Sequence, residues 1–226
     1  MNVSEIRETL FSLADEKYRR FTLSLIPSIT EDRVIGVRMP ILRNLAKEMR
    51  KSDSARLYML NIPHFYQEEN LLHVLLLNGE RDLDVLYLSL DRFLPCIDNW
   101  AVSDSLRPRA LGDDKGRLYA ACLAWLAHPH PYTVRFGIDM LLCFFLDDDF
   151  SPEVLHAVAS VKREEYYIKM MQAWFFAEAA VRQYAAALPF FTERRLSDEV
   201  HKMAVRKICD SLRVDRETKL LLRKTL

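Results

Sequence analysis

The stretch Lys115-Gly116-Arg117-Leu118-Tyr119-Ala120-Ala121-Cys122-Leu123-Ala124-Trp125-Leu126-Ala127-His128-Pro129-His130-Pro131-Tyr132-Thr133-Val134-Arg135-Phe136-Gly137-Ile138-Asp139-Met140-Leu141-Leu142-Cys143-Phe144-Phe145-Leu146 decides the fold. Apolar residues recur in it at spacings of three and four, the period of a helix, and strict alternation is nearly missing. The connector His128-Pro129-His130-Pro131 breaks the run, because proline fixes φ and lacks a backbone donor. Two helices, 115–127 and 131–146, therefore form a hairpin. The second is apolar nearly all round and reads as buried. Trp125, among Leu123, Ala124 and Leu126, reads as a core residue.

The same pattern runs outward in both directions. Helices are expected at 4–13, 15–26, 40–50, 53–60, 66–78, 82–93, 99–107, 151–159, 165–186, 189–194, 197–211 and 215–224. Breakers separate them: Gly36 and Pro40, Pro63, Gly79, Pro95, Pro108, Pro152 and Pro189. Helix pairs of roughly 35–45 residues point to an all-α fold of HEAT-like hairpin repeats, a curved α-solenoid. A compact helical bundle is the competing architecture. No linker or low-complexity segment divides the chain, so residues 1–226 are expected to form one domain.

Composition narrows function mainly by exclusion. Half of the 226 residues are hydrophobic, which argues against disorder. Five glycines leave no room for a Gly-rich phosphate loop. The four cysteines, Cys96, Cys122, Cys143 and Cys209, are isolated, and the six histidines are scattered, so no metal site is expected. There is no signal-peptide layout, and no apolar run reaches the ~18 residues that span a bilayer. A monomer in the cytoplasm, away from membranes, is expected. The net charge of zero counts mildly against a nucleic-acid partner, but a segregated basic face would be enough for one.

Candidate site residues begin with Trp100 and Asp104. Pro95 to Pro108 encloses one short helix, capped by Asp98 or Asn99. Ala101, Val102, Ser105 and Leu106 share its face suited to burial; Trp100, Ser103, Asp104 and Arg107 fall opposite. An indole beside a carboxylate away from the core face suits a site that holds something. Packing of that face on another helix, with Asp104 paired to an arginine, is the plainer reading. Arg135 opens an apolar helix, where a charge is costly unless paired. Asp139 could satisfy it, or its guanidinium could grip a phosphate. Trp174, on a face with Tyr167, Met171 and Glu178, suits the core or a ligand.

Two basic stripes complete the inventory. Arg43, Lys47 and Arg50 line one face of helix 40–50, with Arg38 just before it. Lys202 and Arg206 lie four apart in helix 197–211, with Arg213 beyond. Such stripes are either solvated faces or surfaces for phosphates.

These residues resemble a known family. Ile35-Gly36-Val37-Arg38-Met39-Pro40 with Leu42 to Lys47, then Ile97 to Ser105, Val134 to Gly137, Tyr167 to Lys169 with Ala173-Trp174, and Arg206-Lys207-Ile208 with Glu217-Thr218-Lys219 are similar, in order and spacing, to the AlkD-like DNA alkylation repair family. The chain resembles its shorter branch. The resemblance implies a HEAT-like solenoid gripping double-stranded DNA on its concave face, no metal or organic cofactor, and excision of cationic alkylated purines such as 3-methyladenine and 7-methylguanine. It maps the family's Trp, Asp, Arg and Trp onto Trp100, Asp104, Arg135 and Trp174. Arg38 replaces a different polar residue of some members, and Ser103 a frequent Cys. Two other functions fit the same fold: a DNA-binding protein without activity, and a scaffold for protein partners.

Overall fold

The computed structural model describes residues 2–226. Among them are fourteen α-helices and no strand: α1 (Val3–Ser12), α2 (Glu16–Leu25), α3 (Met39–Met49), α4 (Ser54–Leu60), α5 (Gln67–Leu77), α6 (Leu83–Phe93), α7 (Trp100–Ser105), α8 (Lys115–Leu126), α9 (Pro131–Phe144), α10 (Pro152–Ser160), α11 (Tyr166–Arg182), α12 (Tyr184–Thr192), α13 (Asp198–Asp210) and α14 (Arg216–Arg223). The all-α expectation holds.

Helix starts follow local chemistry. Asn2, Asp15, Asp82, Asn99, Ser197 and Asp215 each accept a backbone N–H of the first turn. They satisfy donors that no preceding carbonyl can reach. Pro40, Pro131 and Pro152 occupy first turns, where a missing N–H is harmless.

Two helix boundaries depart from the sequence reading. The break between the expected helices 165–186 and 189–194 falls at Gln183, and Pro189 lies inside α12. Gln183 leaves helical geometry at φ −133° and ψ 51°, and its side-chain amide donates to the Leu146 carbonyl at 2.9 Å. This bond closes between residues far apart in sequence, so the Ala-rich run carries no local sign of it. Pro189 withdraws a donor from the carbonyl of Ala185, four residues back, but Ala185 is exposed and water can serve it.

The chain divides into two compact units, one ending at Asp114 and the other Lys115–Leu226. In the first, α3, α5 and α7 succeed one another as neighbours, and α4 leans on α3 and α5. Its core joins Ile6 and Leu10 of α1 to Leu42, Ala46 and Met49 of α3, Tyr58 of α4, and Leu72 and Leu76 of α5. In the second, α9, α11 and α13 succeed one another, with α8 on α9, α10 and α12 on α11, and α14 on α13. One helix of each pair thus packs on its counterpart in the next, as stacked hairpins require. Ten of the seventeen α11 residues are buried, including Phe175 and Phe176. Trp125 is in the core as expected, its ring 4.9 Å from that of Phe136.

Candidate nucleic-acid interface and catalytic residues

α7 carries Trp100 and Asp104. Asn99 rather than Asp98 caps it, its Oδ1 accepting from the amides of Ala101 (3.0 Å) and Val102 (3.2 Å). The helix stops at Ser105, short of the expected residue 107. Asn78 intervenes there: its Nδ2 donates to the Ser105 carbonyl at 2.8 Å, and its Oδ1 accepts from the Arg107 amide at 2.7 Å.

The buried arc of α7 is rotated from the expected one. Val102, Ser103 and Leu106 are buried, whereas Ala101 and Ser105 are half-exposed. Helical spacing sets Ser103 on the face opposite Ala101, Val102, Ser105 and Leu106; α7 instead turns it inward, and its hydroxyl has no hydrogen-bond partner. At 100° per residue, Trp100, Asp104, Ala101 and Ser105 then form one continuous half-exposed arc. Trp100 packs beside Ile26, Ile29 and Val34. Together with Ala101 and Ser105 it borders a cavity of about 170 Å³, whose other walls include Tyr18, Phe21, Gln67 and Glu68.

Three consecutive polar residues at the start of α5 escaped the sequence reading. Gln67, Glu68 and Glu69 are each at most 2 % exposed. Glu68 accepts the backbone N–H groups of Ile35 (2.9 Å), Gly36 (2.7 Å) and Val37 (3.3 Å). Glu69 accepts Arg7 Nε at 2.8 Å and the amides of Phe65 and Tyr66. Buried carboxylates need such donors. In the sequence they look like ordinary acidic residues of a helix N-terminus, which masks them. Gly36 has φ +98°, and a Cβ there would lie 2.6 Å from the Asp15 carbonyl oxygen, so only glycine fits. Its own carbonyl accepts from the Asp15 amide at 3.0 Å.

The basic residues differ in what they touch. Arg43 and Lys47 lie exposed on α3, and Lys202 and Arg206 on α13. Arg38 is exposed too, but its Nη2 and Nε donate to Asp15 at 2.8 and 2.9 Å, and its guanidinium sits over the Tyr18 ring. The Tyr18 amide, followed by Arg38, holds the Asp15 carboxyl below its ordinary range. The Arg50 guanidinium folds back onto the Leu75 carbonyl. Arg213 pairs with Glu178.

In the second unit, Arg135 is buried at 4 % exposure, and its Nη1 donates to the Tyr167 carbonyl at 2.6 Å. Asp139, one turn on, is fully buried and accepts from Cys143 Sγ at 3.7 Å. Trp174 is half-buried on α11, the helix packed against α9. The structure thus sets Trp100 and Asp104 on one arc of the first unit, and Arg135 and Trp174 on adjacent helices of the second.

Residues 6–208 match the model of the family described as DNA alkylation repair enzyme. The chain belongs to the DNA alkylation repair enzyme family. No curated protein and no solved structure matches it. Its role is accordingly in alkylation repair, with DNA as the substrate. No group of three or more His, Cys, Asp or Glu residues that could hold a metal occurs among the described residues, and no helix is long and apolar enough to cross a membrane. No disulfide joins any of the four cysteines.

Proposed function

We propose that this repair enzyme is a DNA glycosylase that excises positively charged alkylated purines, 3-methyladenine and 7-methylguanine, from double-stranded DNA. The observation that carries the reading is the half-exposed arc that Trp100 and Asp104 share, with Trp100 bordering a cavity, in a chain of this family. An alkylated purine is already cationic and departs as a neutral base, so it needs little help from a general acid. The unstable species is the oxocarbenium-like sugar left behind. Asp104, ionised, offsets that charge and orients the attacking water. The faces of Trp100 and Trp174 favour the developing charge, each by about 0.5–2 kcal/mol.

Arg135 is assigned a flanking phosphate, its guanidinium oriented by the Tyr167 carbonyl. Arg43, Lys47, Lys202 and Arg206 are assigned further phosphates. Arg38 and Arg50 serve the same surface more weakly, since each is engaged within the protein. Contacts to backbone and sugar give no sequence readout. The protein works as a cytoplasmic monomer without metal or organic cofactor. The decisive experiment is incubation of wild type and Asp104→Asn with methylated duplex DNA, followed by chromatography of released bases. Wild type releases 7-methylguanine; the variant binds the duplex but releases none. Equal release by both would remove Asp104 from the mechanism.

A further inference from the structure

α7 has only six residues, too few for a helix to hold its own direction. Both of its ends are instead tied to a single longer helix. At the start, the 1 %-exposed Asn99 donates from Nδ2 to Gln67 Oε1 at 2.8 Å while its Oδ1 caps the helix. At the finish, Asn78 holds the Ser105 carbonyl and the Arg107 amide. Gln67 opens α5 and Asn78 is its C-cap, so α5 and α7 run parallel, with an amide side chain bridging each end. Between these ends α5 buries Leu72, Val74, Leu76 and Leu77 in the unit and cannot easily turn.

We infer that Gln67 and Asn78 are positioning residues for Trp100 and Asp104. They fix the rotation and tilt of the helix that carries both, so the indole and carboxylate face outward on one arc. Misplacement of a catalytic group by about 1 Å can cost up to a hundredfold in rate. The catalytic half of this inference rests on the glycosylase reading above; the geometric half does not.

The test uses the full chain labelled with 5-fluorotryptophan. Its three tryptophans, Trp100, Trp125 and Trp174, give three fluorine resonances, assigned by single Trp→Phe variants. In Gln67→Leu and Asn78→Ala the Trp100 resonance should shift or broaden while those of Trp125 and Trp174 stay in place. Single-turnover release of 7-methylguanine should fall by about tenfold or more, with duplex affinity within about twofold of wild type. Asn78 is half-exposed, so its variant should fold even if the buried Gln67 variant does not. A Trp100 resonance unmoved in Asn78→Ala, or collapse of all three resonances in both variants, would overturn the inference. So would a loss of release matched by an equal loss of affinity. If the Trp100 resonance moves but wild type releases no base, the positioning stands and the glycosylase reading falls.

Discussion

α7 and α9 present functional candidates in opposite ways. α7 is six residues long, held at its ends by side chains from another helix, and leaves Trp100 and Asp104 half-exposed. α9 is fourteen residues long with eleven buried, and Arg135 lies within that apolar run, its guanidinium on the Tyr167 carbonyl. A short, externally capped helix contributes little to the core, so its outward residues can be chosen for chemistry. A buried guanidinium is part of the core's polar satisfaction, and its replacement disturbs structure as well as function. The contrast separates residues whose loss is read in activity from residues whose loss is read first in stability.

The largest effect expected is that of Asp104→Asn. Base release should drop by at least about a hundredfold while unfolding free energy changes by about 0.5 kcal/mol or less. Stability loss in step with activity would erase the contrast. Arg135→Ala should destabilise the protein by about 2–4 kcal/mol in urea unfolding, since it strips the Tyr167 carbonyl of its donor inside a packed region. A fully stable Arg135→Ala would make α9 as permissive as α7.

A third effect follows from two buried imidazoles. His64 Nε2 and His73 Nδ1 are 2.9 Å apart, and the His73 ring stacks on Phe93 at 3.9 Å. Burial lowers His64 from 6.5 to about 4 and lowers His73 as well. The unfolded chain takes up a proton near pH 6.5 that the folded site refuses until about 4. Stability is therefore complete above about pH 6.5 and falls as pH drops toward 4. Thermal unfolding across this range should show the decline, and His64→Phe should flatten it; an unchanged slope would show that His64 does not set it.

Smaller still is the effect of charge reversal at the exposed stripes. Lys47→Glu in the first unit and Arg206→Glu in the second should each weaken duplex binding and flatten its dependence on log salt. Unequal changes would rank the units as DNA-binding surfaces. A chelator should leave base release unchanged; loss with rescue by a metal would replace the proposed electrostatic mechanism.

Much of this architecture was legible locally. Twelve of fourteen helices keep their ends to within two residues of those read from apolar period and breakers. The period records which face a segment buries, and that survives without knowledge of neighbours. The α11–α12 break was hidden because a side chain reaching back to Leu146 sets it. Ser103 lies inward against expectation because helical spacing fixes which residues are neighbours on α7 but not which arc turns to the core, while the tether from Asn78 and Gln67 determines how α7 is turned. Trp100 and Asp104 stood out by their spacing. Gln67, Glu68 and Glu69 did not, because a polar first turn looks the same whether its partners are water or the backbone amides of a distant loop.

Gly36 shows how narrow such an arrangement is. One peptide neighbourhood there serves two masters: its amide is claimed by Glu68 and its carbonyl by the Asp15 amide. A methyl group at that position would collide with the Asp15 carbonyl. Alanine would force the chain to surrender one attachment, either leaving the buried Glu68 carboxyl short of a donor or freeing the entrance to α2. A single hydrogen atom at position 36 thus sets how far the amino-terminal turn can drift without unseating the buried side chain at 68.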